Sequence, residues 1–77
     1  MVDFYQQVLK SCEPYFGEGT KRFVDRQIMH HLSKIPETLA YSDKEELVRW
    51  IRISTALLLG PDKATELTKK IMILRTR

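Results

Sequence analysis

Between Glu45 and Gly60 the chain carries more apolar side chains than one core-facing helical stripe can use. At about 100° per residue, Leu47, Ile51, Ser54 and Leu58 share one face, and Trp50, Ile53 and Leu57 form a second stripe beside it. Only Arg49, Arg52 and Ala56 hold the opposite side. An ordinary surface helix buries an arc of roughly 100° or somewhat more. This segment is therefore either the central helix of a small bundle or part of a subunit interface.

Size sharpens that choice. The 77 residues suit one helical domain, 1–77, and a domain of this size buries only about 60% of the surface its unfolded chain exposes. Cores this small seldom supply more than ~3–5 kcal/mol, so association is a natural source of further burial. The balance of 43% hydrophobic to 30% charged residues reads as a folded chain, not a disordered one. A lone cysteine, Cys12, excludes an internal disulfide and favours a reducing compartment. No basic-then-apolar leader follows Met1, and no apolar run approaches the ~20 residues of a membrane span. The expectation is a cytoplasmic protein with no membrane partner. The net charge of +3 permits an acidic partner without demanding one.

Periodicity and punctuation divide the chain into four helices, at about 2–13, 20–35, 42–59 and 61–75. Phe4, Tyr5, Val8, Leu9 and Cys12 recur at helical steps until Pro14 and Gly17. Thr20 is a candidate N-cap for a helix carrying Val24, Ile28, His31, Leu32 and Ile35, which Pro36 stops. Ser42-Asp43-Lys44-Glu45 reads as a capping box. Gly60-Pro61 joins a C-cap glycine to a proline suited to a first helical turn, and Ala64, Leu67, Ile71 and Leu74 form the last stripe. No segment alternates long enough for a strand. The expected class is all-α, a compact four-helix bundle or an orthogonal helical array.

A weak internal repeat runs through this plan. Phe16-Gly17 matches Leu59-Gly60 at an offset of 43, after which Val24 aligns with Leu67, Arg26 with Lys69 and Ile28 with Ile71; Phe23 against Glu66 breaks the pattern.

Chemistry is sparse. His30, His31 and Cys12 are the only residues suggesting a metal site or a Cys-His nucleophile, and adjacent helical histidines diverge by about 100°, which argues against a shared ion. The expectation is no metal, no cofactor, no catalytic residue and no identified small-molecule substrate, with Cys12 a small core hydrophobe. The acids Glu13, Glu18, Asp43, Glu45 and Glu46 sit at helix ends and loops, where capping and solubility account for them. Gly17-Glu18-Gly19-Thr20-Lys21-Arg22 offers glycines, a hydroxyl and two cations at a helix start, a weak anion-binding signal without P-loop spacing. Ala56 and Gly60 have the spacing found around a helix-turn-helix, but Glu66 and Lys69 fall where that motif turns aliphatic residues inward. Lys63, Lys69, Lys70, Arg75 and Arg77 are candidate phosphate contacts, unaccompanied by aromatic or amide side chains that read bases.

An association surface is better supported. Trp50, Ile53 and Leu57 form an i, i+3, i+7 ridge of the kind that packs into a partner's groove, and tryptophan is enriched at interface hot spots. Ile71, Met72, Ile73 and Leu74 wrap a full helical circumference and need cover. The competing internal account has the first helix, or the connector through Leu39 and Tyr41, covering the ridge.

Phe16-Gly17 and Leu59-Gly60-Pro61, each leading into an amphipathic helix with basic residues, resemble the short Gly-Pro helical modules appended to bacterial signalling proteins such as kinases and response regulators. The resemblance covers about half the chain and implies a regulatory interaction module without catalytic activity. The expected function is a small non-catalytic protein–protein interaction or regulatory module, with homodimerisation through the third helix as one form. The alternative is a nucleic-acid-associated helical protein using Lys21, Arg22 and the C-terminal basic face.

Overall fold

The computed structural model describes residues 3–74. Among them every regular element is helical: α1 (Phe4–Phe16), a 3-10 turn at Gly17–Gly19, α2 (Thr20–His31), 3-10 turns at Pro36–Thr38 and Tyr41–Asp43, α3 (Lys44–Leu59) and α4 (Pro61–Met72). The chain is all-α, as its periodicity requires. From Phe4 to His31, α1, the 3-10 turn and α2 follow one another with no irregular residue between them, so the chain forms three helical stretches, this one, α3 and α4. No helix among the described residues is long and apolar enough to cross a membrane.

Several boundaries differ from expectation, each for a local reason. Asp3 caps α1, its carboxylate accepting the Gln6 N–H at 2.8 Å. The helix then passes through Pro14 instead of ending at Glu13. A proline there forfeits one backbone bond, and the extra turn brings Tyr15 and Phe16 onto the core. Gly17, at φ 57°, ends the helix and donates its N–H to the Glu13 carbonyl. Thr20 is the first residue of α2, not its cap, and its hydroxyl donates back to the Gly17 carbonyl at 2.7 Å. α2 stops at His31, four residues early, because Ser33 takes a left-handed conformation (φ 55°). Ile35, extended before Pro36, is consequently 65% exposed and not part of a core stripe.

The Ser42–Glu45 capping box is replaced by a different device. Tyr41–Asp43 is itself a 3-10 turn, and Asp43 serves the residue three before it, accepting the Ala40 N–H at 3.0 Å and the Lys34 ammonium at 2.6 Å. Gly60 and Pro61 behave as read. Gly60, at φ 100°, donates to the Ala56 carbonyl at 3.1 Å, and Pro61 opens α4 with no intervening residue. α4 ends at Met72; Val2, Arg75 and Arg77 lie outside the described residues.

One buried cluster ties the elements together: Phe4, Tyr5, Val8 and Cys12 from α1, Val24 and Ile28 from α2, Leu39 from the connector, Leu47 and Ile51 from α3, and Leu67 and Ile71 from α4. The core stripe of α3 is Leu47, Ile51 and Thr55. Leu58, which shares their side of the helix, lies past the end of the core and is 65% exposed.

The structure extends the internal repeat. At the same offset of 43, Phe4 matches Leu47, Val8 matches Ile51, Cys12 matches Thr55, Val24 matches Leu67 and Ile28 matches Ile71, and all ten side chains are essentially inaccessible. Gly17 and Gly60 end equivalent helices at positive φ. Two halves of one plan, each a helix, a glycine and a helix, meet in one core. The junction of α2 with α3 in one direction thus corresponds to that of α4 with α1 in the other.

Candidate interaction surface

The α2–α3 junction is fixed at its base by polar and aromatic contacts. Gln27, nearly buried, accepts the Ser54 hydroxyl at 3.0 Å. The rings of His31 and Trp50 stack with centroids 4.0 Å apart and planes within 6°. His31 therefore lies over the tryptophan at the rim, not in the core stripe where its sequence position put it. Trp50 is half-buried as a result, whereas Ile53 and Leu57 farther along α3 are 47% and 83% exposed. The proposed internal covers are elsewhere. Leu39 is in the core, and Tyr41 lies 4.6 Å from Phe4 and accepts a hydrogen bond from Gln7.

Toward the C-terminal end of α3 the junction opens into a shallow groove lined by Phe23, Arg26, Gln27, His30 and His31 from α2 and Ser54, Leu57 and Leu58 from α3. Phe23 is held by stacking on Phe16, with centroids 4.0 Å apart. Among the described residues no carboxylate lines the groove. Its counterpart between α1 and α4 is lined by Pro14, Tyr15, Leu59, Lys63, Glu66 and Lys70. There Tyr15, the match of Leu58, donates its hydroxyl to Glu66, the match of Phe23, at 2.9 Å. The Lys70 ammonium sits 4.9 Å from the centre of the Tyr15 ring. The α1–α4 groove is crossed by a carboxylate–phenol bond; the α2–α3 groove, crossed at its base by Ser54 and Gln27, presents Phe23, Leu57 and Leu58.

The two stretches expected to act together are separated. Ile71 is fully buried and belongs to the core, which removes it as a contact residue. Met72 and Ile73 are 47% and 72% exposed, and Leu74 packs partly on the core. The Lys44 ammonium holds this end, donating to the carbonyls of Met72, at 3.2 Å, and Leu74. Lys44 and Leu57 stand thirteen residues apart on α3, about 20 Å along the axis at 1.5 Å per residue. The ridge and the α4 end are thus distinct surfaces.

The described basic residues are spread over more than one face. Lys21 pairs with Asp25 at 2.7 Å, and Asp25 also accepts the Tyr5 hydroxyl at 2.5 Å. Bonds to Asp25 and Tyr5 hold the Lys21 ammonium above its usual range, and burial followed by the Asp25 contact raises the Tyr5 phenol. Arg22, Lys63 and Lys69 are exposed, while Lys63 and Lys70 flank the bridged groove. The turn at Gly17–Gly19 borders a concavity that also holds Glu13 and Glu18 beside Lys10 and Lys21. Burial pushes the Cys12 thiol up to about 12, which suits a core atom and not a nucleophile. Among the described residues no group of three or more histidines, cysteines and acids could hold a metal ion.

Helical periodicity marks Trp50, Ile53 and Leu57 as a ridge but does not mark Phe23, Arg26, His30 and Leu58 as its neighbours. The signal for Phe23 was present: it is the position at which the repeat breaks. Comparison with protein-family models, with curated proteins and with solved structures finds no match.

Proposed function

We propose that this chain is a non-catalytic protein-interaction module that uses the α2–α3 face, with Trp50, Ile53, Leu57 and Leu58 as its contact residues. The observation behind this reading is the run of exposed apolar side chains on α3, Leu57 at 83%, Leu58 at 65% and Ile53 at 47%, beside a partly covered tryptophan. Large apolar side chains left this exposed on one helix of a small domain point to a site that another molecule covers, and an aromatic with apolar neighbours is the usual anatomy of a hot spot. The reading takes the chain as a compact four-helix bundle in the cytoplasm, akin to the Gly-Pro helical modules of bacterial signalling proteins, with a second copy as one admissible partner. Met72 and Ile73 form a smaller satellite patch. Nucleic-acid binding has less behind it, because Lys21 and Lys70 are engaged by Asp25 and Tyr15.

Light scattering over a concentration series at low and high salt tests the reading, run on the native chain and on Leu57→Asp. A salt-resistant dimer lost in the variant supports a self-interface. A monomer that gains a protein ligand, again lost in the variant, supports a hetero-partner. Binding to nucleic acid that falls steeply with salt and ignores Leu57→Asp overturns it.

A further inference from the structure

Building on that interaction reading, we infer that the α2–α3 groove takes an acidic amphipathic helix of a partner protein, its apolar side chains lying between Phe23 and Leu57–Leu58 and its carboxylates meeting Arg26 and His30. The molecule carries its own comparison in its two halves. Both grooves sit at equivalent junctions of the two halves, and both have a cation on the α2 or α4 wall, Arg26 in one and Lys63 and Lys70 in the other, though at unmatched positions, since Lys70 matches Gln27. In the α1–α4 groove the carboxylate is internal: Glu66 accepts from Tyr15, and Lys70 lies against the same ring.

In the α2–α3 groove the corresponding acid is replaced by Phe23 and the corresponding tyrosine by Leu58. That leaves a guanidinium and two imidazoles around apolar side chains, with no acid lining the groove among the described residues. Arginine presents donors that match a carboxylate in a fork, and imidazole N–H groups add further donors. The complementary occupant has leucine-like side chains on one face and carboxylates beside them, the arrangement of an amphipathic helix laid in a groove. Like charges in that position are disfavoured by the same field.

Trp50, the only tryptophan, stacks on His31 at the groove wall, so its fluorescence reports occupancy without a label. The probe is a synthetic peptide of about 16 residues with leucines at i, i+3, i+4 and i+7 and glutamates flanking them, compared with the same peptide carrying lysines for glutamates. The acidic peptide is expected to bind saturably and at least roughly tenfold more tightly than the basic one. Arg26→Glu is expected to reverse that order, and Leu57→Asp to abolish binding of both; each site is exposed, and circular dichroism verifies that the variants stay folded. Equal binding of the two peptides overturns the acidic partner and leaves the interaction reading standing. So does a dimer that Leu57→Asp disrupts, since the occupant is then a second copy. A Trp50 response to anionic vesicles alone, or no response to either peptide from a monomer indifferent to Leu57→Asp, overturns both.

Discussion

His31, the last residue of α2, lies flat on Trp50 of α3 with 4.0 Å between ring centres. The contact joins the two halves at their edge and explains how a tryptophan on the outward stripe of α3 is only partly exposed. Aromatic pairs of this kind contribute about 0.5–1.5 kcal/mol beyond area burial. His31→Ala is expected to lower unfolding stability by about that amount, read by urea denaturation, and to shift Trp50 emission to the red. A variant with native stability and emission would show that the stack is not maintained in solution.

The surface and the core should separate cleanly in mutagenesis. Leu57→Asp changes an 83% exposed side chain and should leave stability within about 0.5 kcal/mol of the native value. Ile71→Ala empties a fully buried position and should cost about 2–5 kcal/mol. Chemical denaturation of both variants measures the contrast.

Gly60 is held at φ 100°, ψ 160°, with open space where a side chain would begin. Any penalty at this position is therefore backbone strain and not a clash. Gly60→Ala should destabilise by about 1–3 kcal/mol, seen as a lower thermal midpoint without loss of helical content in the folded baseline. Ser33, at φ 55°, is the reverse case, a side chain where glycine is easier.

Thr55 is the match of Cys12, and its hydroxyl is buried with no hydrogen-bond partner among the described residues. An unpaired buried hydroxyl carries a desolvation penalty of about 1–3 kcal/mol. Thr55→Val keeps the shape and removes the polar atom, so it should raise stability by up to about 1–3 kcal/mol. A loss instead, by the same denaturation assay, would mean that the hydroxyl finds a partner in solution.

Asp43 sets an acid limit on the connector. Burial alone would push its carboxyl up, but the Lys34 ammonium and the Ala40 N–H outweigh that and hold it below the ordinary carboxylate range. The folded value lies below the unfolded value of about 3.9. Its stabilisation is therefore present in full above that unfolded value and lost as pH falls through the folded one. Asp43→Asn should be less stable at neutral pH, and its disadvantage should shrink on acidification below about pH 4. Thermal midpoints of both proteins across that range test it.

The all-α class, the Gly60-Pro61 junction and most of the core were legible because each is written locally: Val8, Cys12, Val24, Ile28, Leu67 and Ile71 recur at helical spacing, and Gly-Pro punctuates strongly. What escaped was set by tertiary contact. Pro14 remains within α1, where the following turn packs Tyr15 and Phe16 on the core. Ser33 ends α2 through a conformation its residue type does not announce. Leu58 and Ile71 lie on apolar stripes of similar strength, yet one falls beyond the end of the core and the other within it. The ridge on α3 was visible as periodicity, but Phe23 and Arg26 join it only because α2 packs alongside.

Lys44 supplies the other closure of the α3–α4 pair. Gly60 links the two helices covalently at one end; at the opposite end the Lys44 ammonium reaches the terminal carbonyls of its neighbour. The first turn of α3 and the last turn of α4 are consequently latched to each other. Loosening either releases both, so amide hydrogens at these two distant points of the sequence should exchange as a single cooperative unit.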